Sequence, residues 1–382
     1  LYWNNDWKFA ETWEEAMKEV VYPENEMEDV RLPHTCKELP YHYFDEHAYQ
    51  MLCGYRRHFM APEVWQGKSV ELTFEGVAHD AVVYVNGTEV KAHHCGYTAF
   101  FVEIAKYLKY GEDNVLAVRV DSRENLNIPP FGYAIDYMTF GGMYREVYVQ
   151  VRNKTHLADV FIKPQIHPLQ VTTEITVQNI SDGITLQQEI RKKGEGAYSP
   201  LGKKPVKQTN VQTVFPVQEI RLWEPENPYL YEIRTSLWKN GEMIDARVDI
   251  TGFREAGFRK DGFYLNGKKL RLRGLNRHQS YPYVGYAAPA SMQIFDADIL
   301  KKELGVNAVR TSHYPQSQDF IRRCDEIGLL VFTEFPGWQH IGDEEWKRQA
   351  VQNLKEMIVQ YRNHPSIILW GVRINESQDD DV

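Results

Sequence analysis

The hydrophobic pattern of this chain changes once, near residue 253. Before that point, short runs that are apolar at every second position recur between turn signals such as Asn86-Gly87 and Asn240-Gly241. This rhythm is typical of antiparallel β-sandwiches. After that point, strand-like runs alternate with helix-like ones, and strands that are apolar on both faces indicate a parallel sheet covered by helices. The chain therefore combines two kinds of domain.

Length and charge narrow the class of protein. The chain has 382 residues, 43% of them hydrophobic, and a formal net charge of −9. At about 100 to 200 residues per domain, this length predicts two or three domains. An acidic chain without a long basic run is a poor nucleic-acid binder, and no segment approaches the roughly 18 apolar residues of a membrane helix. We expect neither nucleic acid nor membrane as a partner, and a homo-oligomer stays open.

We predict three domains. Residues 1–153 are expected to form one β-sandwich, and residues 154–252 a second one of immunoglobulin-like size. Residues 253–382 are expected to form the first half of a (β/α)₈ barrel, because they supply about half of the roughly 250 residues that such a barrel needs. An open half-barrel exposes parallel strand edges, so we expect the chain to be a piece of a longer protein.

The barrel part is predicted in some detail. Strands are expected at residues 270–273, 308–311, 329–333 and 367–370. Helices are expected at 296–304, ended by Gly305, and around 320–324, ended by Gly328. A longer helix is predicted to bury one face, which carries Trp346, Ala350, Leu354, Ile358 and Tyr361.

Polar side chains follow each predicted strand. They are Asn276, Arg277 and His278, then Ser312, His313 and Tyr314, then Glu334, and finally Asn375 and Glu376. In a parallel barrel these positions meet at one mouth, where histidines, carboxylates and an amide suit general acid–base chemistry on a hydroxyl-rich substrate. Glu376 is the best candidate acid, because an apolar strand with a ring such as Trp370 favours a protonated carboxyl. The alternative is that Glu376 only begins the acidic run that ends at Asp381.

Cellular location is weakly constrained by the sequence. The four cysteines have neither a metal-like nor a disulfide-like spacing. No basic segment followed by an apolar one opens the chain, so no signal peptide is visible. We expect a cytoplasmic location.

Long ordered motifs carry a resemblance to a known family. They lie at residues 272–278, 307–315 and 362–368 leading to Asn375-Glu376, with a further segment at 222–231. The chain resembles glycoside hydrolase family 2. This resemblance implies a jelly-roll sugar-binding domain, an immunoglobulin-like domain and a (β/α)₈ barrel. It also implies retaining hydrolysis of β-glycosides by two carboxylates about 5 to 5.5 Å apart.

The resemblance assigns roles to several residues. Glu376 matches the acid/base glutamate, and Asn375 matches an asparagine expected to contact the sugar 2-hydroxyl. His278 and His313 match histidines that line the sugar subsite. Asp136, which precedes the Gly142-Met143-Tyr144-Arg145 motif, matches a first-domain aspartate that reaches the active site of β-galactosidases.

Two departures from the family pattern concern the nucleophile and the metal. The nucleophilic glutamate of the family belongs to a later barrel strand, so we expect the 382-residue chain alone to be inactive. In large magnesium-dependent β-galactosidases, a metal-binding acid and a histidine follow the position of Glu334, where this chain has Trp338 and His340. Tryptophan cannot bind a hard cation, so we predict no such magnesium site and no cofactor, although another cation stays open. Glu334 and His340 are then candidate substrate contacts.

The substrate remains a choice within the family. Asn276-Arg277-His278 is closer to the galactosidase branch than to the glucuronidase branch, which predicts a β-galactosidase acting on terminal β-D-galactosides. A β-glucuronidase or a β-mannosidase is the alternative, as is a non-catalytic carbohydrate-binding fragment.

Overall fold

The computed structural model describes residues 1–42, 45–132 and 135–373. The first part is a sandwich of two antiparallel sheets with strand orders β2-β1-β3-β8-β5-β6 and β7-β4-β9. Large side chains such as Trp7, Tyr55 and Phe74 fill the space between the sheets. The strands are β1 (Trp7–Ala10), β2 (Glu28–Val30), β3 (Leu52–Met60), β4 (Ser69–Phe74), β5 (Asp80–Val85), β6 (Thr88–His93), β7 (Phe100–Glu103), β8 (Asp113–Asp121) and β9 (Val147–Arg152), and 3₁₀ turns lie at Glu15–Lys18, Glu46–Tyr49, Glu63–Trp65 and Ala105–Tyr107.

The second part is a smaller sandwich. Its two antiparallel sheets have the strand orders β10-β11-β14 and β13-β12-β17-β18, and aliphatic side chains such as Val177 and Leu237 pack between them. The strands are β10 (His156–Gln165), β11 (Gln170–Gln178), β12 (Ile184–Lys192), β13 (Ser199–Pro205), β14 (Asn210–Pro216), the short pair β15 (Trp223–Glu224) and β16 (Asn227–Pro228), β17 (Tyr231–Lys239) and β18 (Glu242–Thr251).

The third part is a parallel sheet with helices, as the change of period predicts. An antiparallel sheet of β19 (Ala256–Arg259), β20 (Gly262–Leu265) and β21 (Lys268–Leu270) leads into it. The parallel strands are β22 (Gly274–Arg277), β23 (Ala308–Thr311), β24 (Leu330–Glu334) and β25 (Ile367–Gly371), paired in chain order. The helices are α1 (Ala290–Asp298), which continues as a π-helical turn over Ile299–Glu303, α2 (Gln318–Ile327) and α3 (Glu344–Tyr361).

The first parallel strand lies later than predicted. Residues 271–273 are not part of a strand, and β22 begins at Gly274. Leu270 and Leu272, whose alternation suggested the strand, pack instead on a small cluster around Trp223. Gly274 allows the close pairing with β23, because a Cβ atom there would lie 2.5 Å from the Ala308 carbonyl oxygen. The predicted strand at 308–311 is confirmed as β23.

Two helices differ in detail from the prediction. Helix α1 begins at Ala290, directly after Pro289, and not at residue 296. On α3 the buried face passes through Asn353 and Met357, whereas Ile358 is 37% exposed. Polar residues can occupy this buried face because they form hydrogen bonds with each other: Gln349 Nε2 donates to Asn353 Oδ1 at 2.7 Å. Apolar periodicity alone therefore did not locate the buried face.

A buried arginine joins the first sandwich to the parallel sheet. Arg145 donates to the carbonyl oxygens of Tyr97 (3.1 Å) and Glu75 (3.3 Å) on one side. On the other side it donates to Gln279 Oε1 (3.1 Å) and to the Pro315 carbonyl oxygen (3.0 Å). A buried guanidinium needs several acceptors, and here both domains provide them.

The motif at residues 362–368 joins the second sandwich to the sheet. Asn363 Oδ1 accepts from the Ile162 amide at 2.9 Å, and its Nδ2 donates to the Val160 carbonyl oxygen at 2.9 Å. The segment at residues 222–231 adds a further contact, because Trp223 Nε1 donates to the Asp325 carbonyl oxygen of α2 at 2.8 Å. Much of the motif that carried the resemblance therefore fixes domain positions and lies apart from the strand ends.

Glu356 on α3 provides a pH-dependent contact between the first sandwich and the sheet. Its carboxylate lies 3.1 Å from His93 Nε2 and accepts from Thr98 Oγ1 at 2.7 Å. Burial alone would raise the pKa of Glu356, but the hydrogen bond and charge of His93, together with Gln352 and Thr98, lower it to about 2. A carboxyl group with a depressed folded pKa contributes stability above its unfolded pKa, and this contribution is lost as the pH falls towards the folded pKa.

We therefore expect Glu356→Gln to destabilise the full-length protein at pH 5.5 by about 2 kcal/mol. Scanning calorimetry of the wild type and of Glu356→Gln should show a smaller difference in Tm at pH 3.5 than at pH 5.5. Glu345→Gln, on the exposed side of the same helix, is the matched control. An equal difference at both pH values would contradict the assignment.

Within the described parts of the chain, every helix is too short or too polar to cross a lipid bilayer.

Candidate active site

The carboxyl ends of the parallel strands bring the predicted site residues to one edge of the sheet. Arg277 at the end of β22 is in register with Thr311 of β23, which is in register with Thr333 of β24. The residues that follow these three strands therefore lie side by side. This edge is where barrel enzymes carry their chemistry, and we call it the mouth of the sheet.

Two histidines lie together at the mouth. The ring centres of His278 and His313 are 5.5 Å apart. His278 Nδ1 lies 3.2 Å from the Tyr314 hydroxyl, and His313 Nδ1 lies 2.9 Å from Glu334 Oε2. Burial lowers the pKa of His278, and the neighbouring His313 lowers it further, whereas the charges of Asp136 and Glu334 oppose this shift. His278 is therefore a neutral hydrogen-bonding group near pH 7.

Glu334 is the last residue of β24 and lies next to His313. Its side chain is fully buried, and it accepts hydrogen bonds from Arg310 Nε and from His313 Nδ1. Because the carboxylate accepts at His313 Nδ1, it fixes the ring orientation and leaves Nε2 for other partners. The sequence predicted a substrate contact for Glu334, but the structure surrounds this residue with protein.

Trp338 and His340 diverge after β24. Trp338 is 8% exposed, and its ring centre lies 4.9 Å from that of His313. His340 packs instead on Gly132, where a Cβ atom would lie 2.0 Å from His340 Cγ, and its ring centre is 5.9 Å from that of Trp346. The structure therefore brings Trp338 to His313 and turns His340 towards Trp346 of α3.

No metal-binding arrangement is found within residues 1–42, 45–132 and 135–373. Among these residues, no group of three or more His, Cys, Asp and Glu side chains could hold a metal ion. The absence of a cofactor stays a prediction.

The first sandwich domain also reaches the mouth. Asp136 is exposed and lies near enough to His278 for its charge to act on that ring. Its neighbour Tyr137 donates from its hydroxyl to the Gly337 carbonyl oxygen at 3.3 Å. The sequence reasoning singled out Asp136 but missed Tyr137, for which adjacency to Asp136 was the available signal.

Arg310 was also missed. It is the charged residue of strand β23 and lies between the buried Val309 and Thr311. Such a residue requires a partner of opposite charge, and this was a signal that a carboxylate would lie on the neighbouring strand. Glu376 and Asn375, the predicted acid and its neighbouring amide, lie outside the described residues.

Comparisons with known proteins identify the family. The model "Glycosyl hydrolases family 2, sugar binding domain" matches residues 30–152, "Glycosyl hydrolases family 2" matches residues 155–254, and "Glycosyl hydrolases family 2, TIM barrel domain" matches residues 257–381. The chain belongs to glycoside hydrolase family 2. The resemblance drawn from the sequence motifs is confirmed, as is the fold of a sugar-binding sandwich, an immunoglobulin-like sandwich and a partial barrel.

Relatives with different named activities are similar to the chain. A β-galactosidase of Thermoanaerobacter pseudethanolicus is 48% identical over 388 residues, covering 100% of this chain and 52% of that protein. A β-glucuronidase of Bacteroides fragilis is 32% identical, covering 82% of this chain and 48% of that protein. The solved structure of Bacteroides uniformis β-glucuronidase 2, covalently bound to cyclophellitol-6-carboxylate aziridine, matches with a TM-score of 0.89 and 31% identity over 97% of this chain and 46% of that one. The chain spans about half the length of these relatives.

Proposed function

We propose that the full-length protein containing this chain is a retaining β-galactosidase. The observation that carries this proposal is the high identity to two proteins named β-galactosidase. They are 48% and 46% identical to this chain over 100% and 99% of its length. The mouth of the sheet supports a sugar site, because His278, His313 and Asp136 offer hydrogen-bonding groups and the Trp338 ring lies beside His313.

The proposed mechanism divides the work among these groups. Glu376 protonates the leaving oxygen, and the nucleophilic glutamate expected on a later barrel strand forms the glycosyl-enzyme. Asn375 contacts the 2-hydroxyl. His278 and the Nε2 of His313 bind sugar hydroxyls, while Glu334 holds the His313 ring in place. Asp136 adds an acceptor from the first domain, and no cofactor enters any step.

A β-glucuronidase is the second candidate, and the Bacteroides fragilis relative with that name favours it at 32% identity. A glucuronide carries a carboxylate that needs a cationic partner. At the described part of the mouth, Arg310 is already paired with Glu334, and the exposed Arg373 follows β25. Asp136 adds an exposed negative charge. Like charges placed together cost several kcal/mol, so the Asp136 charge favours a neutral sugar. A β-mannosidase and a non-catalytic carbohydrate-binding protein are the remaining alternatives.

The test is hydrolysis of 4-nitrophenyl β-D-galactoside, β-D-glucuronide and β-D-mannoside by the full-length protein. We expect kcat/KM to be highest on the galactoside, by about 100-fold over the glucuronide, because of the Asp136 charge. Asp136→Asn should lower the rate on the galactoside and narrow this ratio. Faster hydrolysis of the glucuronide would favour the second candidate, and no turnover of any glycoside would favour the non-catalytic alternative.

A further inference from the structure

Tyr137 crosses from the first sandwich domain to the mouth of the sheet. It lies in the long connection between β8 and β9, and its hydroxyl bonds to the Gly337 carbonyl oxygen. Its ring centre lies 5.4 to 6.2 Å from those of His278, His313, Tyr314 and Trp338. These residues follow β22, β23 and β24, so a single first-domain side chain packs against the ends of three neighbouring strands.

The backbone after Tyr137 is fixed by both domains. The Tyr286 hydroxyl, from the barrel part, donates to the Met138 carbonyl oxygen. The Thr139 amide donates to the Tyr49 hydroxyl at 3.1 Å, and the Thr139 carbonyl oxygen lies 3.0 Å from His79 Nε2. Tyr49, His79 and Tyr286 are all buried. Tyr137 therefore reaches the mouth from a segment that hydrogen bonds hold in place. A residue held in this way can fix the positions of the site residues that it contacts.

The surroundings of Tyr137 are those of a site wall. The residue is half-buried, and the rings around it include two histidines that can bind sugar hydroxyls. Asp136 precedes it in the chain and is exposed. The Tyr137 ring thus contacts the rings of His278, His313 and Trp338, and its backbone is bonded directly to that of Asp136.

We propose that Tyr137 is a positioning residue for sugar hydrolysis: it sets the placement of Asp136 relative to His278 and His313. This inference rests on the proposed function of the mouth. Tyr137 acts through these neighbours, because its hydroxyl is directed to the Gly337 carbonyl oxygen. Displacement of a substrate-binding group by about 1 Å can cost about 100-fold in rate, so a residue that fixes three such groups at once has a large effect on turnover.

The experiment is a set of variants of the full-length protein, with kcat and KM measured on 4-nitrophenyl β-D-galactoside and Tm measured for each. Tyr137→Phe keeps the ring and removes one hydrogen bond, so kcat/KM should fall about threefold to tenfold. Tyr137→Ala should lower it about 100-fold. Tyr110→Phe is the matched control, because Tyr110 is also a half-buried first-domain tyrosine whose hydroxyl donates to a backbone carbonyl, that of Ala105, at 2.9 Å. This control should retain the full rate.

A double-mutant cycle separates positioning from a purely structural role. Tyr137→Ala should lower kcat/KM by a much smaller factor in the Asp136→Asn background than in the wild type. The reason is that both changes disturb the same placement of residue 136 relative to His278 and His313. Wild-type rates in Tyr137→Phe and Tyr137→Ala would overturn the inference while leaving the proposed function intact. Additive losses, or losses that follow Tm alone, would also overturn it. A wild-type protein that hydrolyses no β-glycoside would overturn both the proposed function and this inference.

Discussion

Glutamine in place of Glu376 is expected to lower kcat/KM of the full-length protein about 10²- to 10⁴-fold on aryl β-galactosides with a poor leaving group. The amide cannot protonate the leaving oxygen, so the first chemical step would lose the acid that we propose for it. For substrates with a very acidic leaving group, such as dinitrophenol, the rate of that step should fall much less. Steady-state rates across a series of aryl galactosides measure this difference.

Azide provides the second half of this test. It attacks a glycosyl-enzyme without needing a general base, so it should restore turnover of the dinitrophenyl substrate by Glu376→Gln and yield a galactosyl azide. Glu345→Gln, a change on the exposed side of α3, is the control and should behave as the wild type. An equal loss on all leaving groups without azide rescue would contradict the role given to Glu376.

Glu334→Ala is expected to affect stability and activity together. The carboxylate is fully buried between Arg310 and His313, and removing one partner of a buried ion pair costs about 3 kcal/mol or more. His313 also loses the acceptor that orients its ring, so kcat/KM should fall about 100-fold. Urea unfolding and hydrolysis of the aryl galactoside measure the two effects.

A second variant separates these two effects. In Glu334→Leu with Arg310→Met, an apolar pair replaces the ion pair, so part of the stability should return while the activity stays low. Glu344→Ala is the control, because Glu344 is 91% exposed and its pair with Lys347 is worth less than about 1 kcal/mol. Recovery of activity together with stability would show that Glu334 does not act through His313.

Much of the fold follows from local patterns in the sequence. Strand β23 was predicted with its observed bounds, because the chain changes from a helix-like to a strand-like pattern after Gly305, and the β-branched Val309 and Thr311 are buried at alternate positions. The end of α2 was predicted from Gly328, because glycine commonly ends helices. In the structure Gly328 adopts φ +71°, and a Cβ atom there would lie 2.3 Å from the Pro225 carbonyl oxygen. The start of β22 was wrong, because the Leu270 and Leu272 alternation is satisfied by packing on the Trp223 cluster and not by pairing in the parallel sheet.

The candidate site was predicted only in part. Strand ends identified His278 and His313, since parallel strands deliver their last residues to one edge. Tyr137 could not be found in this way, because it belongs to a different domain and meets the mouth through contacts 141 to 201 positions apart in the chain. The burial of Glu334 depends on Arg310 in the neighbouring strand β23 and on His313 just after it, which no local pattern around Glu334 reveals.

We expect the mouth of the sheet and the first-domain segment that carries Asp136 to form one sugar site. A crystal structure of the full-length protein with a galactose-configured inhibitor is the most direct measurement. It should show sugar oxygens within about 3.2 Å of Asp136, His278 and the Nε2 of His313. A sugar bound away from these three side chains would show that they do not form the sugar site.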